Sequence, residues 1–334
     1  MDSNHHDVTV RLDDRIRLMA AVLAATTWPE RAQQRRPHGT HAHARATVRF
    51  LAEHRAHPAV QALQGLLDEG APLEAAFAYA LSLSWPGLEP LPGVDMRWAP
   101  PHWAAQLRAF YEQTGLGAWW QAEDAAWQNA LHQARRVFAR AAFRPFLGRI
   151  IEAVPEHLVF IPSISQPTDQ DIGLRLGSAL VCIAPPRLAW GDSPPWPYDE
   201  DPAHVYRAAL TQYGRVLLLG YLRAHADRLA AAAAVPLPLS DQFRAMYPSW
   251  EEQFTVLFVA AAVAVYLEDH VSKKEADAYV LMTHKAHGMT VLPGAVSVLR
   301  RYLNERDAGR YATLLDFLPV FPKQLRVANR IVSL

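Results

Sequence analysis

Three histidines near the N-terminus lie close together in the sequence and are potential metal ligands. His38, His41 and His43 lie within the stretch 30–49. Neutral imidazoles bind zinc or nickel, but this spacing fits no structural zinc motif and no cysteine lies nearby. We therefore expect only weak, adventitious metal binding at these histidines.

The same stretch is basic, and a basic loop can contact phosphate groups. It contains five arginines, Arg31, Arg35, Arg36, Arg45 and Arg49. Few aromatic side chains lie between them for base stacking. The chain as a whole has 33 Lys and Arg against 33 Asp and Glu, so its formal net charge is zero. This balance provides no general attraction to nucleic acid or to an anionic membrane, and we expect neither as a partner.

The remaining isolated candidates do not form a site. His204 and His225 belong to one predicted helix, and 21 residues of helix separate them by roughly 30 Å. Cys182 lies in an apolar run without a neighbouring basic residue, which is typical of a small buried hydrophobic residue. A single cysteine excludes an intrachain disulfide and is consistent with a reducing compartment.

Two long helices dominate the second half of the sequence. Asp201-Pro202 is a strong helix start, and this helix is predicted to continue to about residue 234, before two prolines. Ser249 and Glu252 form a capping-box pattern that opens a helix to about residue 270. Its uninterrupted apolar run, 256–267, is shorter than the roughly 20 residues that span a bilayer, so it predicts a buried helix. The first helix contains the sequence Thr211-Gln-Tyr-Gly-Arg215.

Periodicity over the rest of the chain predicts an α+β fold that is mostly helical. The predicted strands are 8–12, 158–163 and 180–183. The other predicted helices are 14–27, capped by Asp13 or Asp14, 44–54, 58–70, 73–83, 102–115, 118–151 with a break or kink at Pro145, 273–287, 295–305 and 311–318. An exposed loop is expected at 29–43, a proline-rich connector at 86–101, and an ordered loop over the surface or a groove at 185–202. We expect an N-terminal lobe, 1–155, mainly helical with a strand, and a second lobe, 156–334, as one integrated unit.

Five stretches in order along the chain resemble a family of uncharacterised bacterial proteins with a gluzincin-like zinc-peptidase domain. They are 8–18, 50–63, 210–222, 247–267 and 311–319. In the third, the family has His-Glu-Phe-Gly-His. In the fourth, it has a Trp-Glu pair, a third metal ligand and an arginine. The resemblance implies a zincin-like scaffold with a small sheet, in which helices 202–234 and 249–270 pack side by side and the second lobe carries the site.

The departures from the family pattern fall on the metal centre. The positions of the first His, the Glu, the second His, the third ligand and the arginine carry Thr211, Gln212, Arg215, Val256 and Ala260. The residues that match are Gly214, Trp250 and Glu251. Two His at i and i+4 coordinate zinc from one helix face, and the Glu activates its water. Since the substituted residues can do neither, we expect the zinc to be lost and no cofactor to replace it.

The guanidinium of Arg215 offers a specific substitute for the metal. It could bind acceptors that once surrounded zinc, with Glu251 or Glu252 as its partner. The alternative is that Arg215 is a surface residue and Glu252 serves only in the capping box.

These observations favour a catalytically inactive peptidase-like protein that binds a peptide or protein, or acts as a scaffold. Tyr213, Trp250, Glu251 and Glu252 would line its groove, with the proline-rich loop 185–202. One alternative is an altered hydrolase that uses the same cleft. Another is an unrelated helical interaction or nucleic-acid-binding protein. A structure in which helices 202–234 and 249–270 do not pack side by side would favour this alternative. The N-terminus lacks the basic and apolar segments of a secretory signal, so we expect a soluble, cytoplasmic protein.

Overall fold

The fold is α+β and mostly helical, as the sequence predicts, with one small mixed sheet. The computed structural model describes residues 7–35, 39–40, 42–93, 95, 97–187 and 197–332, with all side chains except those of 286–287 and 328–332. The chain forms two compact units. Unit 1 consists of Met1–Ala141 and Glu156–Val205, and unit 2 of Ala142–Pro155 and Tyr206–Leu334.

This division differs from the lobes expected at 1–155 and 156–334. The segment after residue 156 contributes one strand that pairs with the N-terminal strand and two further strands of the same sheet, so it belongs to unit 1. The short segment 142–155 belongs with the later helices. The two helices predicted to carry the site lie in unit 2, apart from the first four residues of the earlier one.

The sheet of unit 1 has the strand order β1-β2-β4-β3. Its strands are β1 (Val8–Val10), β2 (His157–Pro162), β3 (Ile172–Leu176) and β4 (Ala179–Ala184). The β1–β2 and β2–β4 pairs are parallel, and β3 is antiparallel to β4. Strand β3 was not predicted because it is short and contains a glycine, which weakens the strand signal. Cys182 is fully buried in β4, as expected.

Eight helices of unit 1 accompany this sheet in the described part of the chain. They are α1 (Asp14–Ala24), α2 (Trp28–Arg35), α3 (Ala42–Phe50), α4 (Pro58–Asp68), α5 (Leu73–Leu81), α6 (Trp103–Gln113), α7 (Leu116–Ala122) and α8 (Asp124–Phe138). Asp13 caps α1 as predicted. The prediction of a loop at 29–43 is wrong over its first residues, which belong to α2. Its Glu, Arg, Ala and Gln residues favour helix, and Glu30 and Arg35 complement the helix dipole.

A buried ion pair fixes the start of α1 against the end of α5. Arg15 Nε and Nη2 donate to the two carboxylate oxygens of Asp13, at 2.9 and 2.7 Å. Arg15 Nη1 donates to the carbonyl oxygens of Leu81 and Leu83, at 2.9 and 2.8 Å. The guanidinium thus satisfies helix-end carbonyls that have no intrahelical donor.

A second arginine of α1 lies between two indole rings. The Arg17 guanidinium carbon is 4.4 Å from the ring centroids of both Trp120 and Trp127. Its Nη1 donates to Asp14 at 2.9 Å. Burial lowers the pKa of Arg17, and the Asp14 carboxylate opposes that shift. These cation–π contacts join α1 to α7 and α8.

Mild acid is expected to weaken α4 through its capping residue. His57 Nδ1 accepts a hydrogen bond from the Ala59 N–H at 3.1 Å. Burial lowers the pKa of His57, and the charge of His54 adds to the shift, whereas a hydrogen bond with Gln113 opposes it. The ordinary histidine pKa is about 6.5. The unfolded chain therefore takes up the proton first, so the cap contributes fully above that pH and is lost as pH falls through the lower folded-state pKa.

The measurement is the unfolding free energy of wild type and His57→Asn, followed by tryptophan fluorescence at several pH values. Asparagine caps helices but does not titrate, so it removes this one pH dependence. We expect wild type to lose stability relative to the variant between about pH 7.5 and 5, by less than the roughly 1 kcal/mol of a full helix cap because solvent screens this group. A constant difference between the two proteins would contradict this role of His57.

The described residues of unit 2 form helices without a strand. Beyond α9 (Phe143–Ile151), these are α10 (Pro202–Ala224), α11 (Ala226–Ala233), α12 (Asp241–Met246), α13 (Trp250–His270), α14 (Lys273–His287), α15 (Leu292–Asp307), α16 (Leu314–Phe317) and α17 (Phe321–Val332). The predicted helix 202–234 is interrupted at His225. Pro145 does not break a helix as predicted, because the chain turns at 139–142. Pro145 instead lies in the first turn of α9, where a missing N–H is tolerated.

Helix α13 is the buried centre of unit 2. Ser249 and Glu252 form the predicted capping box at its start. Among the described helices, α13 alone is long and apolar enough to span a membrane by length and composition. However, 78% of its most apolar window is buried, as in the core helix of a soluble protein. The apolar run 256–267 is therefore explained by packing, as predicted from its length.

Candidate functional site

The helices predicted to carry the site contact each other at Gly214 of α10 and Val259 of α13. A Cβ atom built on Gly214 would lie 3.1 and 3.2 Å from the two methyl groups of Val259. Such distances are tighter than most real Cβ contacts. The close approach of α13 therefore explains why this position is glycine, and no metal is needed to account for it.

A small apolar cavity adjoins this contact. Its lining comes from α9 (Leu147, Ile150, Ile151), α10 (Leu210, Gly214, Leu217, Leu218) and α13 (Phe258, Val259, Ala262). Its volume is about 10 Å³, which is close to the space that one water molecule needs. A peptide side chain does not fit, and no polar group lines the cavity to orient a substrate.

The positions that would hold zinc lie around this apolar contact. Thr211 and Gln212 are partly buried and Arg215 is exposed on α10, whereas Val256 is partly buried and Ala260 is buried on α13. Among the described residues, the structure brings together no group of three or more His, Cys, Asp or Glu side chains that could hold a metal. The carboxylates and imidazoles of unit 2 thus do not rebuild a ligand set from other positions within the described part of the chain.

The interpretation of Arg215 as a substitute for the metal is wrong. Its side chain is exposed, and no carboxylate within the described ranges forms an ion pair with it. Glu252 instead accepts from the Ser249 N–H at 3.2 Å and lies 3.7 Å from Arg223. Glu251 is partly exposed. Arg215 is therefore a surface residue and Glu252 is a member of the capping box, which is the alternative interpretation.

The aromatic residues predicted to line a groove serve in packing. Tyr213 is 1% exposed, and its ring centroid lies 6.2 Å from that of Phe143. Trp250 stacks on Phe254 with a centroid distance of 5.1 Å, and its Nε1 donates to the Val235 carbonyl at 3.3 Å. These contacts connect the start of α13 to the chain preceding α12.

Of the three histidines in the stretch 30–49, the structure describes the side chain of His43. His43 Nδ1 lies 2.9 Å from a carboxylate oxygen of Glu123, so this imidazole has a protein partner in unit 1. His38, His41 and residues 188–196 of the proline-rich loop lie outside the described residues. The adventitious metal binding expected at the three histidines stays a prediction.

A polar pair that the sequence did not reveal lies beside the apolar cavity. Tyr221 Oη donates to Glu152 Oε1 at 2.8 Å. Glu152 directly follows Ile151, and Tyr221 lies one helical turn after Leu217, and both of these neighbours line the cavity. Burial raises the pKa of Tyr221, and the hydrogen bond with Glu152 adds to the shift, so the tyrosine remains the proton donor at neutral pH.

Glu152 also has an unusual backbone conformation. Its φ is +70°, in the left-handed region that side chains rarely adopt, and the Ala153 N–H donates to the Ile151 carbonyl at 2.8 Å across it. Strained residues of this kind are enriched at functional sites. The sequence separation of 69 positions between Glu152 and Tyr221 explains why no local sequence pattern predicts the contact.

Comparison with known proteins identifies no relative: no family model, no curated protein and no solved structure matches this chain.

Proposed function

We propose that the protein is a catalytically inactive, metallopeptidase-like cytoplasmic protein that acts by binding another protein or as a scaffold. The observation that carries the proposal is the contact between Gly214 and Val259. At this contact the two predicted site helices meet through apolar side chains. The glycine that matches the family pattern is explained there by helix packing.

The chemistry of four of the five substituted positions supports the same conclusion. Thr211 is a poor zinc ligand, and Gln212 cannot take a proton from water. Arg215 is exposed and positively charged, so it repels a cation. Val256 provides no ligand atom. Since the adjoining cavity admits about one water molecule, binding is assigned to the surface of unit 2 rather than to a peptide groove.

Exposed apolar side chains in the chain that precedes α13 favour a protein partner. Met246 is 62% exposed and Val235 is 36% exposed, and Trp250 is joined to Val235 by its indole hydrogen bond. Contiguous exposed apolar side chains are typical of interaction surfaces. A nucleic-acid partner is not favoured, because Arg31 pairs with Asp68 and Arg35 lies over the Trp28 ring.

Restoring the metal centre tests the proposal. A variant with Thr211→His, Gln212→Glu, Arg215→His and Val256→Glu recreates the ligand set at the exposed and partly buried positions of the two helices. We expect about one equivalent of zinc in this variant and less than about a tenth of an equivalent in wild type, because wild type offers no ligand at these positions. The measurement is metal content of untagged protein by mass spectrometry.

The matched control carries Val256→Gln in place of Val256→Glu, since glutamine has the shape of glutamate but binds zinc poorly. Two His at i and i+4 bind zinc weakly on any helix, so tight binding that requires Glu at 256 would show that the two helices present one site. A second control replaces His38, His41 and His43 by alanine in wild type. About one equivalent of zinc in that control would reject the proposal. So would equal zinc binding by the Glu and Gln versions.

The pair Glu152–Tyr221 favours a second candidate function, an altered hydrolase. A carboxylate that accepts from a tyrosine with a raised pKa could exchange a proton with a substrate at the edge of the cavity. Hydrolysis of peptide or ester substrates by wild type, lost in Glu152→Gln and retained in Glu251→Gln, would establish this function in place of the first.

A further inference from the structure

The loop that follows β2 buries an unusual number of polar side chains. Ser163, Gln166 and Thr168 are 0%, 1% and 2% exposed. The Ser163 Oγ, Gln166 Oε1 and Thr168 Oγ1 atoms have no hydrogen-bond partner among the described residues. Buried polar atoms in native proteins almost always have a partner, so three such oxygens within six residues indicate a bound species.

Two hydrogen bonds make the loop compact. The Gln166 N–H donates to the Ser163 carbonyl at 3.4 Å, which closes a turn. Gln166 Nε2 donates to the Gln170 carbonyl, so its amide orientation is set and Oε1 is left as an acceptor. Thr168 lies inside the segment that this second hydrogen bond closes. The loop is thus ordered without using any of the three side-chain oxygens.

The loop occupies the carboxyl end of parallel strands. The Ser163 N–H donates to the Ala184 carbonyl at the end of β4, at 3.0 Å, and Tyr198 Oη donates to the same carbonyl at 2.9 Å. Ligands of open sheets with parallel strands bind beyond the carboxyl ends of those strands. The loop is therefore placed where such a sheet binds ligands.

One carboxylate acts on the same region. Burial raises the pKa of Cys182 and of Tyr198 well above the usual values, and the negative charge of Asp171 adds to both shifts. The surroundings of the loop thus combine buried neutral oxygens with the negative charge of Asp171, while Asp169, within the loop, is exposed.

We propose that the loop 163–170 binds a monovalent cation of the size of Na⁺ or K⁺, with Ser163 Oγ, Gln166 Oε1 and Thr168 Oγ1 as ligands. Neutral oxygens replace the hydration shell of such an ion, as backbone carbonyls do in potassium channels. Calcium and magnesium favour carboxylate ligands, and zinc favours nitrogen and sulfur. The burial of all three oxygens favours a small ligand. This inference is independent of the proposed function.

The test is thermal unfolding of the whole protein, followed by tryptophan fluorescence, in potassium, sodium and choline chloride at equal ionic strength. We expect potassium or sodium to raise Tm by about 2–4 °C with saturation, relative to choline. Thr168→Val and Ser163→Ala remove a ligand and should abolish the rise. Thr114→Val is the matched control, since its buried hydroxyl already donates to the Phe110 carbonyl at 2.7 Å. That variant should keep the rise.

A crystallographic measurement covers the case in which the ligand variants do not fold. Crystals of wild type soaked in thallous ion, which replaces potassium, should show an anomalous peak among the three oxygens. Equal Tm values in all three salts, or a rise that persists in Thr168→Val and Ser163→Ala, would overturn the proposal in favour of a buried water. The absence of a thallous peak at the loop would overturn it as well.

Discussion

Replacing Phe258 by alanine is expected to lower the free energy of unfolding by about 3–5 kcal/mol. Phe258 is 1% exposed, lies 4.8 Å from Phe254 between ring centroids, and lines the apolar cavity at the α10–α13 contact. Removing the ring deletes buried contacts and leaves a larger cavity that the packed helices cannot close. Denaturant unfolding followed by far-UV circular dichroism measures the change.

The control for this variant is Leu281→Ala in α14, because Leu281 is 51% exposed. Its free energy of unfolding should stay within about 0.5 kcal/mol of wild type. A dry, apolar cavity also binds small apolar molecules, so benzene should stabilise Phe258→Ala but not wild type. Similar losses for both variants, or no effect of benzene on either, would argue against tight packing at the α10–α13 contact.

Replacing Gly214 by valine is expected to destabilise the protein by about 1–3 kcal/mol. Even a single Cβ at this position would lie 3.1 and 3.2 Å from the Val259 methyl groups, so a branched side chain must push α13 away from α10. This cost exceeds the few tenths of a kcal/mol that valine gains over glycine in helix propensity. The measurement is again denaturant unfolding by circular dichroism.

The same helix contains a matched control for this substitution. Gly220 is exposed, and nothing lies within 4 Å of a Cβ built on it, so Gly220→Val should be neutral or slightly stabilising. Val259→Ala should restore at least half of the stability that Gly214→Val loses, because it removes the colliding methyl groups. Equal behaviour of the two glycine variants, or no rescue by Val259→Ala, would refute the close helix contact.

Sequence signals with a local cause predicted the fold well. The Asp13 cap of α1 and the capping box of α13 are both confirmed, because caps depend on a few adjacent residues. Two elements held by tertiary contacts were missed, namely β3, which pairs with β4, and α17, which packs against α15. Helix α12 was missed as well, although Ser240 caps it locally. The turn at 139–142 was also missed, since its residues, Ala139-Arg140-Ala141-Ala142, have high helix propensity and only packing can end the helix there.

The site was harder to predict because residues on which the resemblance rests have structural causes. Gly214 is required by the approach of Val259, and Trp250 contacts Phe254 and Val235. The neighbouring Glu252 belongs to the capping box. Such residues suit two packed helices whatever the protein does. The positions that would decide the chemistry are partly buried or exposed, so packing does not constrain them. The Glu152–Tyr221 pair escaped prediction because folding alone brings its members together.

The placement of Cys182 gives unit 1 its own reporter group. It is the single thiol of the chain, fully buried in β4, and burial raises its pKa, so a disulfide reagent can reach the thiolate only when the sheet opens. Nine of the ten tryptophans also belong to unit 1 by sequence, and Trp250 is the tenth. Thiol labelling and tryptophan fluorescence therefore report mainly on unit 1, whereas far-UV circular dichroism reports on the helices of both units. Labelling slower than the loss of helix would reveal that the two units unfold in separate steps.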